Sequence, residues 1–308
     1  MIPCELRGAM WGIGLLSMSI RRATCSRMST TLHRTRSTVR IAPAARCRRF
    51  RLAAALGGLA FFCCLAAFAA QPQRPTPLKS GVEFLSGETR ALQADDFANP
   101  GMLWVTRGQT LWDEAFPANG KSCASCHGIA AESMRGVATR YPRIDAGVAR
   151  LVNLEGRIEL CRTQHQERAA FGYESEQLLA LTSFVAYQSR AMPMNVVIDA
   201  QNQRNFERGR ALYHSRLGQM NLACTHCHDQ NWGKSLLAET ISQGHGNAYP
   251  IYRLEWQGVG SLHRWFRSCL YGVRAETWPA GAEQYLDLEL YLAWRGRGLP
   301  IETPGVRR

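Results

Sequence analysis

The sequence predicts an all-α chain of two tandem, similarly built units with long loops, preceded by a cleaved leader. Three observations carry that expectation. The pattern "CASCH" at Cys123–His127 recurs as "CTHCH" at Cys224–His228, 101 residues later. Each copy is preceded by a matching helical stretch, "RGQTLW" from Arg107 and "RGRALY" from Arg208, starting sixteen residues before its first cysteine. Each is followed by an amphipathic stretch that stops near a proline, at Pro193 and Pro300, which reads as a closing helix.

The leader comes first in the chain. The 308 residues carry a formal charge of +13, but eleven arginines and a single acid, Glu5, fall within residues 1–70. The remainder holds 26 Lys and Arg against 23 Asp and Glu and is nearly neutral. It has no basic stripe to track phosphates, which excludes a nucleic-acid binder. "RCRRFR" (Arg46–Arg51) is a basic region, Leu52–Ala70 is apolar, and Ala67-Phe68-Ala69 fits a small-residue cleavage site. Residues 1–70 are therefore expected to direct export to the periplasm and to be removed, leaving no membrane association. An uncut anchor is the alternative reading. The mature chain divides into an N-terminal unit, 71–198, and a C-terminal unit, 199–308, joined at the polar seam "DAQNQRNFERG". Residues 71–100 are proline-rich and turn-rich, and read as an extended lead-in that packs across the first unit.

Of eleven cysteines, six lie beyond the leader: 123, 126, 161, 224, 227 and 269. Four of them sit in C-x-x-C-H, the attachment motif of covalent c-type haem. Cys123 and Cys126, like Cys224 and Cys227, reach two vinyl groups of one porphyrin, and His127 or His228 then lies under the iron. A zinc knuckle or a redox C-x-x-C would use the same thiols, but neither needs the histidine twice. The expected architecture is two class I cytochrome c-like domains holding two covalently bound haem c groups.

Each unit has one cysteine left over. Cys161 precedes Pro193 by 32 residues and Cys269 precedes Pro300 by 31. That match proposes both as axial thiolates, donating charge to ferric iron and lowering its potential. The alternatives are buried free thiols, a Cys161–Cys269 disulfide, or ligation by Met192 or Met194. His165, His245 and His263 read as ordinary polar or satisfied histidines, and His226, inside the attachment loop, faces the wrong way for a ligand. Around Cys269 stand Arg264, Arg267 and Arg274. Guanidinium forks bind oxyanions bidentately, so Arg264 and Arg267 are candidate contacts to a small sulfur dianion such as thiosulfate. Haem propionates, Glu255 and Glu276 are the competing partners.

Residues 78–308 resemble the SoxA family, the c-type cytochrome subunit of L-cysteine S-thiosulfotransferase. The likeness rests on "DDFANPGMLWV", "CASCHG", "YPRIDAGVARLVNLEGRIELCR", "YPIYRLEWQGVGSLHR", "CLYGVRAE" and "LELYLAWRGRGLPIETPGVR". The resemblance implies that Cys269 is both axial ligand and catalytic cysteine, often found as a persulfide. It implies oxidative joining of thiosulfate to a cysteine of a carrier, SoxY of SoxYZ, with two electrons leaving through haem. It also implies pairing with a small monohaem cytochrome, SoxX, and the dihaem form of the family. One position departs from the pattern: the family's substrate arginine four residues before the active cysteine is Trp265 here, between candidates Arg264 and Arg267. Two other readings remain open at this stage. A dihaem electron carrier would show a methionine–iron absorption band, and a dihaem peroxidase would turn over peroxide rapidly.

Overall fold

Cap chemistry sets the helix boundaries in this computed structural model, which describes residues 74–308. The predicted leader lies outside the described residues. Helix α1 (Gly87–Ala94) begins at Ser86, whose hydroxyl accepts from Thr89 N–H at 3.2 Å. The first unit follows as α2 (Met102–Asp113), α3 (Cys123–His127), α4 (Ala130–Ser133), the antiparallel pair β1 (Arg143–Asp145) and β2 (Arg150–Val152), α5 (Leu154–Gln164) and α6 (Glu176–Tyr187). The second unit repeats that order: α7 (Gln203–His214), α8 (Cys224–His228), the hairpin β3 (Ser235–Leu236) and β4 (Glu239–Thr240), the antiparallel pair β5 (Ile251–Arg253) and β6 (Gly258–Gly260), α9 (Leu262–Gly272) and α10 (Glu283–Arg295). A last strand, β7 (Gly305–Arg307), adds in parallel to β5.

The all-α expectation is corrected by these seven short strands. They are two or three residues long, too short for the alternating pattern that marks a strand in sequence. Both β1 and β5 begin beside a cis proline, Tyr141-Pro142 and Tyr249-Pro250.

In each unit the first helix crosses the last, α2 on α6 and α7 on α10. Both crossings are made at a glycine. A Cβ on Gly108 would stand 2.1 Å from the Ala180 carbonyl oxygen, and one on Gly209 would stand 1.9 Å from that of Asp287. The backbones touch, and the apolar faces close over Val105, Trp112, Leu181 and Phe184 in one unit and over Phe206, Tyr213, Leu290 and Tyr291 in the other.

The described residues, 74–308, make one compact unit, and two features join the halves. The segments ending the repeats pair with each other: Ala191 N–H donates to Ile301 O at 2.9 Å, Met194 N–H to Leu299 O at 2.8 Å, and Ile301 N–H to Met192 O at 2.9 Å. The helix caps of α5 and α9 also meet across the boundary. Asn153 caps α5 through Gly156 N–H at 2.9 Å and donates to Glu289 at 3.1 Å, while Ser261 caps α9 and donates to Glu174.

Glu155 is buried in this network, and burial, reinforced by the Glu289 charge, pushes its carboxyl up to about 8 from 4.5. A carboxyl raised in the folded state keeps its proton there while the unfolded chain loses it. The stabilising contribution is complete below about 4.5 and is lost as pH rises towards 8. Denaturant melts between pH 5 and 8 are expected to show stability falling with pH, and Glu155→Gln to flatten that slope. An unchanged slope in the variant would remove Glu155 as its cause.

The lead-in takes a different course from the one its sequence suggests. Lys79 N–H donates to Gln243 Oε1 at 2.9 Å, Ser80 Oγ to Glu302, Asn99 Nδ2 to Pro304 O at 3.0 Å, and Val306 N–H to Gln93 Oε1 at 3.0 Å. It therefore lies mainly along the carboxy-terminal segment, because that segment offers backbone groups and polar side chains that pair with those of the lead-in and its helix α1. Asp96 alone reaches back to the first unit, where Tyr187 and Arg190 hold it. No helix among the described residues is long and apolar enough to cross a membrane.

Candidate functional site

The two cysteine–histidine motifs form single-turn helices held by the same devices. In α3, Ser122 and Ser125 cap each other reciprocally, at 2.9 and 3.0 Å. In α8 the cap position is Ala223, which has no acceptor, and His226 Nδ1 takes over by accepting from Ala223 N–H at 3.0 Å. His226 is thereby spent on the backbone and points away from an axial role. The aromatic residue ending each preceding helix clamps its motif: Trp112 Nε1 donates to Gly128 O at 3.1 Å, and Tyr213 OH to Asp229 Oδ1 at 2.8 Å.

Around α3 lies a cavity of about 770 Å³ lined by Cys123, Cys126, His127 and Cys161, within the size range of cofactor pockets. Its walls are apolar (Leu111, Trp112, Val137, Leu154, Ile158, Leu181), with arginines among them. That donor set and shape fit a haem whose two sides face His127 and Cys161. Arg157 Nη2 donates to Cys161 Sγ at 3.1 Å while its Nη1 pairs with Asp145 at 2.7 Å. Burial raises the Cys123 thiol to about 11. Neither Met192 nor Met194 lines this cavity. Met194 is buried in the second unit's core, and the Met192 methyl packs on Gly136.

The second motif repeats the donor types of the first. His228 Nδ1 donates to Ser242 O at 2.8 Å, which fixes the tautomer that leaves Nε2 for a metal. Burial lowers its pKa, as suits a neutral ligand. Gly244, at φ +73°, leaves room for the imidazole: a Cβ there would stand 2.9 Å from His228 Cγ. Cys269 lies on α9 within electrostatic reach of Cys224 and Cys227. The protein around it raises its thiol to about 12 through desolvation, yet it keeps accessible surface. A thiolate there needs a compensating cation.

The two arginines singled out in the sequence lie elsewhere on α9. Arg267, two residues before Cys269, is exposed, and residues two apart on a helix do not face each other. Arg264 stacks on Trp256, its guanidinium carbon 4.2 Å from the ring centroid. The cation that acts on Cys269 comes from β5. Arg253 is 4% exposed, pairs with Glu239 at 2.7 Å and Glu255 at 3.2 Å, and lies 4.2 Å over the Trp265 ring. Its charge lowers the Cys269 pKa against burial. His245 and His263 are buried polar histidines, engaged with Gln243 at 3.2 Å and with Glu289 at 2.9 Å, while His165 is exposed at the rim of the first cavity.

Arg253 and its stack do not stand out from the motif spacing, since the motifs are 101 residues apart. Measured through the leftover cysteines the offset is 108 residues, and at that register Tyr141, Asp145, Arg157 and Cys161 match Tyr249, Arg253, Trp265 and Cys269. The seven extra residues fall between His228 and Tyr249, where the β3–β4 hairpin delivers Glu239 to Arg253.

Comparison with known proteins agrees with this plan. The cytochrome c domain of SoxA and TsdA proteins matches residues 107–194, a span that includes Cys123, Cys126 and His127 and implies covalently bound haem c. The chain is 43% identical over 230 residues to the L-cysteine S-thiosulfotransferase subunit SoxA of Pseudaminobacter salicylatoxidans, covering 74% of this chain and 80% of that protein. It is 39% identical over 228 residues to the subunit of the same name from Paracoccus pantotrophus, covering 74% and 78%. The fold matches the crystal structure of SoxXA from P. pantotrophus with a TM-score of 0.72 at 38% identity, over 75% of this chain and 87% of that one. A repeated helical frame around cysteine–histidine motifs, with this degree of likeness along about four-fifths of its relatives, places the chain in the SoxA family.

Proposed function

We propose that this chain is the catalytic subunit of an exported L-cysteine S-thiosulfotransferase. It would act in the periplasm with a SoxX-like monohaem cytochrome, on a cysteine of the carrier SoxYZ. The observation that carries the reading is Cys269: one accessible cysteine, matched in the other repeat, in a unit with a second C-x-x-C-H motif, on the helix face where a buried arginine stacks. Cys224 and Cys227 would hold the second haem covalently, and His228 and Cys269 would be the residues offered to its iron. Cys123, Cys126, His127 and Cys161 would hold the first.

The overall reaction balances as thiosulfate dianion plus carrier thiol giving carrier S-thiosulfonate monoanion, one proton and two electrons. In the first half, Cys269 Sγ bonds to the outer sulfur of thiosulfate and two electrons are lost. In the second, the carrier thiolate attacks that same outer sulfur and the bond to Cys269 Sγ breaks, so the exchange itself is redox-neutral. Bound haem supplies the electron sink for the first half. The fold leaves Cys269 with accessible surface, open to a carrier arm.

The test is direct. Purified holoprotein with its partner cytochrome, oxidised haem, thiosulfate and carrier should yield a thiosulfonate adduct on the carrier cysteine together with haem reduction. Haem reduction by thiosulfate without any carrier adduct would leave only an electron carrier.

A further inference from the structure

Each repeat brings a guanidinium to the helix face that carries its leftover cysteine, but from opposite partners. In the first unit the strand β1 supplies an acid, Asp145, and the helix α5 supplies the arginine four residues before the cysteine, Arg157, whose Nη2 reaches Cys161 Sγ at 3.1 Å. In the second unit the roles are exchanged. Strand β5 supplies the arginine, Arg253, at the position of Asp145, and helix α9 supplies Trp265 at the position of Arg157. The ion pair of the first unit becomes a cation–π stack at 4.2 Å in the second. Trp265 lies four residues before Cys269 and so on the same helix face. The stack therefore holds the guanidinium on the side of α9 that carries Cys269.

Resting on Cys269 as the reacting cysteine, we propose that Arg253, and neither Arg264 nor Arg267, is the guanidinium that receives the thiosulfate dianion at Cys269. A second observation points to a ligand. Arg253 is 4% exposed, both of its carboxylate partners are engaged through Nη2, and its buried Nε–H has no hydrogen-bond partner. An orphaned donor on a buried cation is costly unless something accepts from it, and an oxyanion is the acceptor a guanidinium fits best. Glu239 and Glu255 hold the fork in place through Nη2, so an incoming dianion meets a positioned donor at the free Nε–H. Trp265 is thus no loss of an anion contact: it fixes the contact that the strand now provides. Arg253 makes and breaks no covalent bond.

The experiment uses the haem-loaded complex with its partner cytochrome and thiosulfate as probe. Arg253→Gln is expected to raise the thiosulfate Kd by calorimetry and the KM in turnover by about 10- to 100-fold, with kcat little changed. Haem content and the visible spectrum should stay as in the parent. Arg253→Lys, which keeps the charge and loses the planar fork, should recover part of the affinity and serves as the informative variant if Arg253→Gln fails to fold. Unchanged thiosulfate affinity in both variants overturns the assignment, as does the same KM rise in Arg264→Gln or Arg267→Gln instead. Loss of haem or a shifted spectrum in Arg253→Gln also overturns it, since the guanidinium would then serve a haem propionate. Cys269→Ser is run alongside: if it still turns over, the reading of Cys269 fails while the thiosulfate Kd still decides the role of Arg253.

Discussion

Replacing Cys269 with alanine is expected to lower thiosulfate-dependent formation of the carrier adduct by about 1,000-fold or more. The same substitution should leave the fold intact. Cys269 keeps accessible surface, while its helix neighbours Phe266 and Leu270 face the core, so losing the sulfur opens no cavity among packed side chains. Circular dichroism and thermal melts of Cys269→Ala should therefore match the parent, and Cys224 and Cys227 should still be found as thioethers by mass spectrometry. Cys161→Ala is the comparison that gives the result meaning. Both cysteines sit at the same register and both lie beside an arginine, but only Cys269 is classed with the exposed residues. Equal loss of turnover in the two variants would argue that both thiols support electron transfer and that neither is where sulfur is joined to sulfur.

Gly209→Ala is expected to destabilise the chain by about 3 kcal/mol or more, a fall in Tm of roughly 6–12 °C. Two effects oppose each other. Alanine in a helix interior is favoured over glycine by about 1 kcal/mol. Against this, its Cβ would stand 1.9 Å from the Asp287 carbonyl oxygen and 2.5 Å from the carbonyl carbon, and a backbone group cannot swing aside as a flexible side chain can. The steric term wins, and α7 and α10 must separate. Gly108→Ala should behave alike, with Ala180 O at 2.1 Å. The damage should reach the motifs, because Tyr213 and Trp112 lie one helical turn beyond these glycines and hold Asp229 and Gly128 through their side chains. Reduced haem incorporation alongside the lowered Tm is the expected signature. A stability gain in either variant would mean that the helices can repack and that the crossing distance is not fixed by glycine.

The repeat, the motif cysteines and their histidines were legible in the sequence because covalent attachment ties function to contiguous spacing: C-x-x-C-H fits one turn of helix and needs no tertiary context to be recognised. The helices α2, α6, α7 and α10 were legible too, since their apolar periodicity is set locally. The leftover cysteines could be matched by counting residues to a proline. The short strands could not, because two or three residues carry no period. The path of the lead-in could not either, because it is held by backbone and polar groups distant in sequence.

The arginine beside Cys269 marks the limit most clearly. Proximity in sequence favoured Arg264 and Arg267, yet on a helix two residues of separation puts side chains on opposite faces, and Arg264 is spent on Trp256. Arg253 stands sixteen residues before the cysteine on another element, and only its stack on Trp265 brings it to the face of α9 that carries Cys269. The sequence alone determined which atoms can be bonded to a porphyrin and in what order they recur. Tertiary structure decided which charge faces which sulfur, because electrostatic interaction falls off with distance through space and takes no account of distance along the chain.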